Sequence, residues 1–204
     1  MKIFDISVLV HEKMLLYPGD KSIEIQEVKQ VESDDWNLTN IILSTHLGTH
    51  VDSPQHIAKN GKRIDQMELE KFLGKAQVLD LTELDFGEKI DLRHLQHNSI
   101  RHDDIILFKT KNSTVLRGEY IHDAIELTIH AAQYLVDKQI KAVAIDYLSI
   151  GSRKVHEKLL NNEILVYETV DLSNVKPGNY YFMGIPLKIP TEGCPVRAVL
   201  IDDF

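Results

Sequence analysis

Short apolar runs rich in β-branched residues recur along the whole chain. Ile3–Val10, Ile23–Val28, Leu38–Thr45, Ala76–Leu81, Ile105–Lys109, Ala142–Ile145, Ile164–Val166, Tyr180–Met183 and Ala198–Ile201 each predict a strand. The helical period is clearest over Thr128–Lys138, where Ile129, Ala132, Leu135 and Val136 form one stripe and Thr128 stands where an N-cap hydroxyl belongs. A short helix is expected over Leu92–Gln96. Lys176-Pro177-Gly178-Asn179 places Pro and Gly where a tight turn uses them. So many strands with so few helices exclude a repeating βαβ doubly wound sheet and predict a mixed α/β fold. The 204 residues contain no linker, repeat or low-complexity stretch and read as one domain, 1–204.

The pattern breaks where chemistry gathers, at His46-Leu47-Gly48-Thr49-His50-Val51-Asp52-Ser53-Pro54-Gln55-His56. Imidazoles and a carboxylate are the donors that a borderline divalent cation accepts, and imidazole also titrates near neutral pH. Geometry limits how these groups can converge. On a straight strand His46 and Asp52 would stand about 20 Å apart, too far to share an ion. A helix would pair His46 with His50 but turn Asp52 away, and Gly48, Thr49, Val51 and Pro54 oppose a helix here. The consistent picture is a strand ending near Thr45 followed by a sharply bent loop. Gly48 permits the bend, and Pro54 keeps the strand from resuming.

Composition narrows the function classes. A formal net charge of −8 argues against nucleic acid and anionic membrane surfaces as partners. The longest apolar runs, such as Ala142–Ile145, are far too short to span a bilayer, and the acidic start Met1-Lys2-Ile3-Phe4-Asp5 does not read as a signal peptide. Cys194 is the only cysteine, so no internal disulfide framework exists; this fits a cytoplasmic setting, with Cys194 an inert loop thiol. Glycine patterns for phosphate binding and a Gly-x-Ser-x-Gly elbow around Ser44 or Ser53 are both missing. His94, His97 and His102, followed by Asp103-Asp104, read as a solvated connection.

The His/Asp segment resembles the His-x-Gly-Thr-His-x-Asp-x-Pro-x-His signature of the cyclase family of metal-dependent hydrolases, whose members include bacterial kynurenine formamidases (arylformamidases) and isatin hydrolases. Every fixed position is present. Phe4-Asp5-Ile6-Ser7 and Tyr17-Pro18-Gly19-Asp20 look like the family's opening strand and following loop. Gly184-Ile185-Pro186-Leu187 and Pro195-Val196-Arg197-Ala198-Val199-Leu200 look like its closing strands. The resemblance implies a swivelling β/β/α architecture. It implies His46, His50 and Asp52 as metal ligands, with Asp52 able to bridge two ions, His156 and Glu168 as a second ligand pair, and His56 as general acid/base. The implied cofactor is zinc or manganese, one ion or two, and the implied assembly a homodimer or homotetramer. One position departs: the bacterial kynurenine formamidases usually carry Trp before the Pro-Gly-Asp turn, where this chain has Tyr17, which keeps an aromatic face for a substrate but alters the pocket.

The expected activity is therefore hydrolysis of a C–N bond in a small amide, with N-formylkynurenine the leading substrate and isatin-type cyclic amides or lactones the runners-up. From other classes, a non-catalytic metal- or ligand-binding protein would keep the site without chemistry, and a cytoplasmic interaction domain would hold no stoichiometric metal.

Overall fold

The computed structural model describes residues 1–202, so Asp203 and Phe204 of the expected domain lie outside the described residues. The strands are β1 (Lys2–Asp5), β2 (Glu24–Lys29), β3 (Leu38–Ile42), β4 (His50–Asp52), β5 (Leu73–Asp80), β6 (Lys89–Ile90), β7 (Ile105–Lys109), β8 (Glu126–Leu127), β9 (Ala142–Ile145), β10 (Leu165–Glu168), β11 (Gly178–Met183), β12 (Gly193–Pro195) and β13 (Val199–Asp202). The helices are α1 (Val31–Asp34), α2 (Leu92–Leu95), α3 (Ile129–Asp137) and α4 (Arg153–Leu160). Nine strands make one mixed sheet in the order β1-β13-β11-β5-β7-β9-β10-β4-β12. Its centre, β5-β7-β9-β10, is parallel, and both wings are antiparallel.

The central strands show why the apolar runs carry no polar alternation. Successive side chains point to opposite faces, and both faces are covered. Ile106, Phe108, Val143, Ile145 and Val166 pack with α3 and α4 through Ala131, Ala132, Leu135, Val155 and Leu159. Their neighbours Ile105, Leu107, Ala142, Ala144 and Tyr167 belong to a second core with Val51, Phe182 and Leu200. Val51 comes from one wing of the sheet and Phe182 and Leu200 from the other, so the sheet curls around this second core. Thr128 caps α3 as its position suggests, its hydroxyl accepting the Ala131 N–H at 3.2 Å.

Several expectations are corrected. The strand predicted to end near Thr45 ends at Ile42, in a separate two-stranded sheet with β2. Where a bent loop was expected, His50–Asp52 forms a further strand, in the nine-stranded sheet, that ends two residues before Pro54. The opening strand stops at Asp5, leaving Ser7 a single bridge to Val170. Residues 184–187 form no strand, Gly178 enters β11 instead of completing a tight turn, and Cys194 is buried within β12 rather than in a loop. The parallel centre does contain a helical crossover, β9–α4–β10, because those fully apolar strands need helices on one face.

Candidate metal centre

Two antiparallel neighbours bring the parts together. β4 lies between β10 and β12, with His50 opposite Glu168 and Asp52 opposite Gly193. His50 and Glu168, 118 positions apart in the chain, are thus a direct cross-strand pair. Glu168 ends β10, and α4 follows the C-terminal end of the neighbouring strand β9, carrying His156 one turn into the helix. The site therefore sits at the C-terminal ends of parallel strands, where open α/β sheets gather ligands. His46 returns towards Asp52 through a turn in which Leu47 N–H donates to Ser44 O at 3.3 Å and Gly48 takes a φ of +65°. A Cβ on Gly48 would meet Val10 at 3.0 Å, so conformation and space both call for glycine.

Thr49, between the ligand-type residues, has a structural task. Its hydroxyl accepts the Val8 N–H at 3.0 Å and donates to Thr169 O at 2.6 Å. Thr169 is β-branched yet holds a φ of 58°, a strain of about 1–3 kcal/mol. Its N–H donates to Tyr147 O at 2.7 Å, so bonds on both sides hold the residue that follows Glu168. Glu168 Oε1 also accepts the Ile150 N–H at 2.6 Å.

The donor atoms form a tight cluster. Asp52 Oδ1 lies 2.9 Å from His46 Nδ1 and 3.5 Å from His50 Nε2, and Asp52 Oδ2 lies 3.9 Å from His156 Nε2. Glu168 offers Oε2 to His50 Nε2 at 3.5 Å and Oε1 to His156 Nε2 at 3.1 Å. His56 is the most open of the six; its ring centroid is 4.3 Å from that of His46 and 5.7 Å from that of His156. Donors of His46, Asp52 and His56 fall within 4.8 Å of one another, as do those of His50, Asp52 and Glu168.

Burial sets the electrostatics. It disfavours charge on His50 and His156, but the Glu168 and Asp52 carboxylates outweigh it and push each up to about 9. Burial likewise opposes the Glu168 charge, yet the two histidines hold that carboxyl far below its ordinary range. His56 goes the other way: crowding by protein lowers it, Asp52 pulls back, and the neighbouring histidines add to the lowering. Its ring is accordingly a neutral base at pH 7.

These residues fit a divalent cation. Asp52 is fully buried, and a carboxylate there costs several kcal/mol unless positive charge compensates it. Both of its oxygens and His50 Nε2 are buried without a hydrogen-bond partner. Buried polar atoms without partners are rare, and these converge on one point. Nitrogen and oxygen donors in this mixture suit several divalent ions.

A cavity of about 440 Å³ opens onto the cluster, with Tyr17, Leu15, Ile57, Leu148 and Arg153 in its wall. Tyr17, 49% exposed, meets Tyr120 edge-on at 5.9 Å. All seven residues singled out from the sequence thus line or underlie one cavity. His94, His97 and His102 stand elsewhere; His94 caps α2, accepting the Asp91 N–H at 2.9 Å. Sequence reading missed Glu192, whose Oε1 lies 3.4 Å from His46 Nε2, and Gly193, on which the His46 ring rests. Neither carries a local signal, because both meet His46 only through the pairing of β12 with β4.

Fold and site define a class of protein. The family model described as "Putative cyclase" matches residues 4–152, and the chain belongs to the cyclase family. Among its relatives, the kynurenine formamidase of Salinibacter ruber is 32% identical over 213 residues, covering 99% of this chain and 98% of that one. A solved structure described as a "predicted metal-dependent hydrolase" from Bacillus stearothermophilus superposes with a TM-score of 0.86 at 29% identity, covering 98% of this chain and 97% of that one. Isatin hydrolase A from Ralstonia solanacearum shares the fold, with a TM-score of 0.88 at 18% identity over 98% of this chain and 92% of that one.

Proposed function

We propose that this chain is a metal-dependent hydrolase that cleaves the C–N bond of a small amide, N-formylkynurenine foremost, releasing formate and kynurenine. The observation that carries the reading is the buried, unpartnered Asp52 carboxylate facing histidines from three parts of the fold. Near full-length similarity to a kynurenine formamidase supports the substrate class.

His46, His50, Asp52, His156 and Glu168 would hold the cation, zinc or manganese. The two oxygens of Asp52 and of Glu168 face different histidines, which supports two ions rather than one. A bound divalent ion supplies Lewis acidity, polarising a carbonyl and lowering the pKa of water towards ~7. His56, neutral at pH 7 and open to the cavity, takes a proton from water at its ring nitrogen and returns it to the departing nitrogen, which leaves poorly unless protonated. Tyr17 offers its ring to an aromatic substrate. A cavity of about 440 Å³ lies in the range for a small aromatic amide.

The same reading covers the whole molecule. Pairing of β1 with β13 joins the two ends of the sheet's chain, in support of one working domain. The hairpin β2–β3 stands outside the main sheet with Ile25, Trp36, Ile41 and Ile42 exposed, and an isolated hairpin is marginal in water, in support of a homodimer or homotetramer. Among the described residues no helix is long and apolar enough to cross a membrane. A single buried thiol supports a cytoplasmic setting.

The test is N-formylkynurenine hydrolysis by protein stripped of metal and reloaded with zinc or manganese, with bound ions counted in the same samples. Metal-dependent kcat/KM of roughly 10⁴ M⁻¹s⁻¹ or more is expected. Isatin turnover without formamidase activity would move the substrate to a cyclic amide and make Tyr17 the first residue to vary. Absence of bound metal would overturn the reading.

A further inference from the structure

Each histidine that faces Asp52 or Glu168 turns one ring nitrogen inward, and something must hold the other. His50 Nδ1 donates to Gly48 O at 2.8 Å, leaving Nε2 to face Asp52 and Glu168. His156 Nδ1 lies 3.2 Å from Ser152 O, leaving Nε2 to face Glu168. In both, a backbone carbonyl fixes the proton on Nδ1 and frees Nε2. His46 is the reverse: Nδ1 stands 2.9 Å from Asp52 Oδ1, Nε2 points away, and the group it meets is Glu192 Oε1 at 3.4 Å.

Glu192 is itself held. Its Oε1 accepts the Thr45 hydroxyl at 2.7 Å, and its backbone oxygen accepts the Ser53 N–H at 2.8 Å and the Ser53 hydroxyl at 2.9 Å. Thr45 and Ser53 flank the His46–Asp52 segment, so Glu192 clasps it at both ends. The next residue, Gly193, supplies the seat: a Cβ there would lie 2.8 Å from His46 Cε1. The ring is thus bounded by a flat backbone below and a carboxylate at its outer nitrogen.

We propose that Glu192 is the positioning residue for His46, keeping the ring proton on Nε2 so that Nδ1 is the lone-pair nitrogen presented to the cation. A ligating imidazole whose second N–H is paired with a carboxylate keeps its tautomer and orientation and gains basicity, and loss of such a partner lowers metal affinity by about 10–100-fold. The inference rests on the metal-centre reading.

The test measures zinc affinity by chelator competition for the wild-type chain, Glu192→Ala and Glu192→Gln, with ions counted and thermal unfolding as a folding control. Expected are unchanged ion counts, a drop in affinity of about 10–100-fold for Glu192→Ala, and partial recovery in Glu192→Gln, which keeps an acceptor oxygen. Nitrogen-15 spectra of the zinc-loaded wild-type chain are expected to put the His46 proton on Nε2, a readout that stands even if the alanine variant misfolds. Wild-type affinity in Glu192→Ala, equal losses in both variants, loss of an ion outright, or a proton on Nδ1 overturns the assignment. A wild-type chain that binds no zinc overturns the metal centre, and this role with it.

Discussion

Two stretches of this chain are equally rich in histidine, and only one forms a centre. His46, His50 and His56 lie within eleven positions, and His94, His97 and His102 within nine. The second group also has acids beside it, yet its members find separate, local partners. His94 accepts the Asp91 N–H at 2.9 Å, and its other ring nitrogen lies 3.1 Å from Arg93 Nε; His97 meets the Gln96 amide; His102 pairs with Asp103 at 3.0 Å in open solvent. The first group brackets an interior strand: His50 and Asp52 lie buried within β4, where water cannot satisfy their atoms and the neighbouring β10 supplies Glu168, while His46 and His56 flank it. Local composition is similar in the two stretches; depth in the sheet separates them.

The sharpest way to break the contrast is to remove a buried member. His50→Ala or Asp52→Ala is expected to abolish stoichiometric metal and reduce hydrolysis to background together, checked by ion counting and assay on the same preparation; metal retained in either variant refutes the ligand assignment. Next in size, His56→Ala should keep its metal while kcat falls on the order of 10²–10⁴. Metal lost from that variant would make His56 a ligand, which its reach to His46 and Asp52 also permits.

A smaller effect is expected from pH. In the metal-free chain, His50 and His156 are held near 9, above the ordinary histidine value of 6.5. A raised folded pKa adds stability that is complete below pH 6.5 and fades as pH climbs through about 9. Thermal unfolding of stripped protein should therefore fall by several degrees across that window. Zinc-loaded protein should not follow it, since a cation takes the place of the protons. Parallel curves for the two forms would contradict the linkage. Smallest of all, His97→Ala and His102→Ala should change activity and metal content by less than about twofold, as exposed sites do.

Much was legible in advance because it is local. The runs Ile105–Lys109 and Ala142–Ile145 coincide with β7 and β9, since a strand buried on both faces needs continuous apolar residues. The Thr128 cap is likewise a matter of one hydroxyl and a stripe. β4 reads as loop from the sequence because Gly48, Asp52 and Pro54 in and around it are poor strand formers in isolation; three residues are held there by ladders on both sides, which a propensity cannot register. Glu192 and Gly193 were invisible for the same reason.

What the sequence determines alone is the chemical inventory and its class: a His/Asp signature with a bend at Gly48, apolar strands for a mixed sheet, and a net negative charge that argues against nucleic acid as a partner. Tertiary structure decides which groups meet. Asp52 and Glu168 share histidines only because β4 pairs antiparallel with β10, and Glu192 reaches His46 only because β12 pairs with β4. Such contacts join residues more than a hundred positions apart, and hydrogen-bonded register, rather than any property of the residues themselves, sets them.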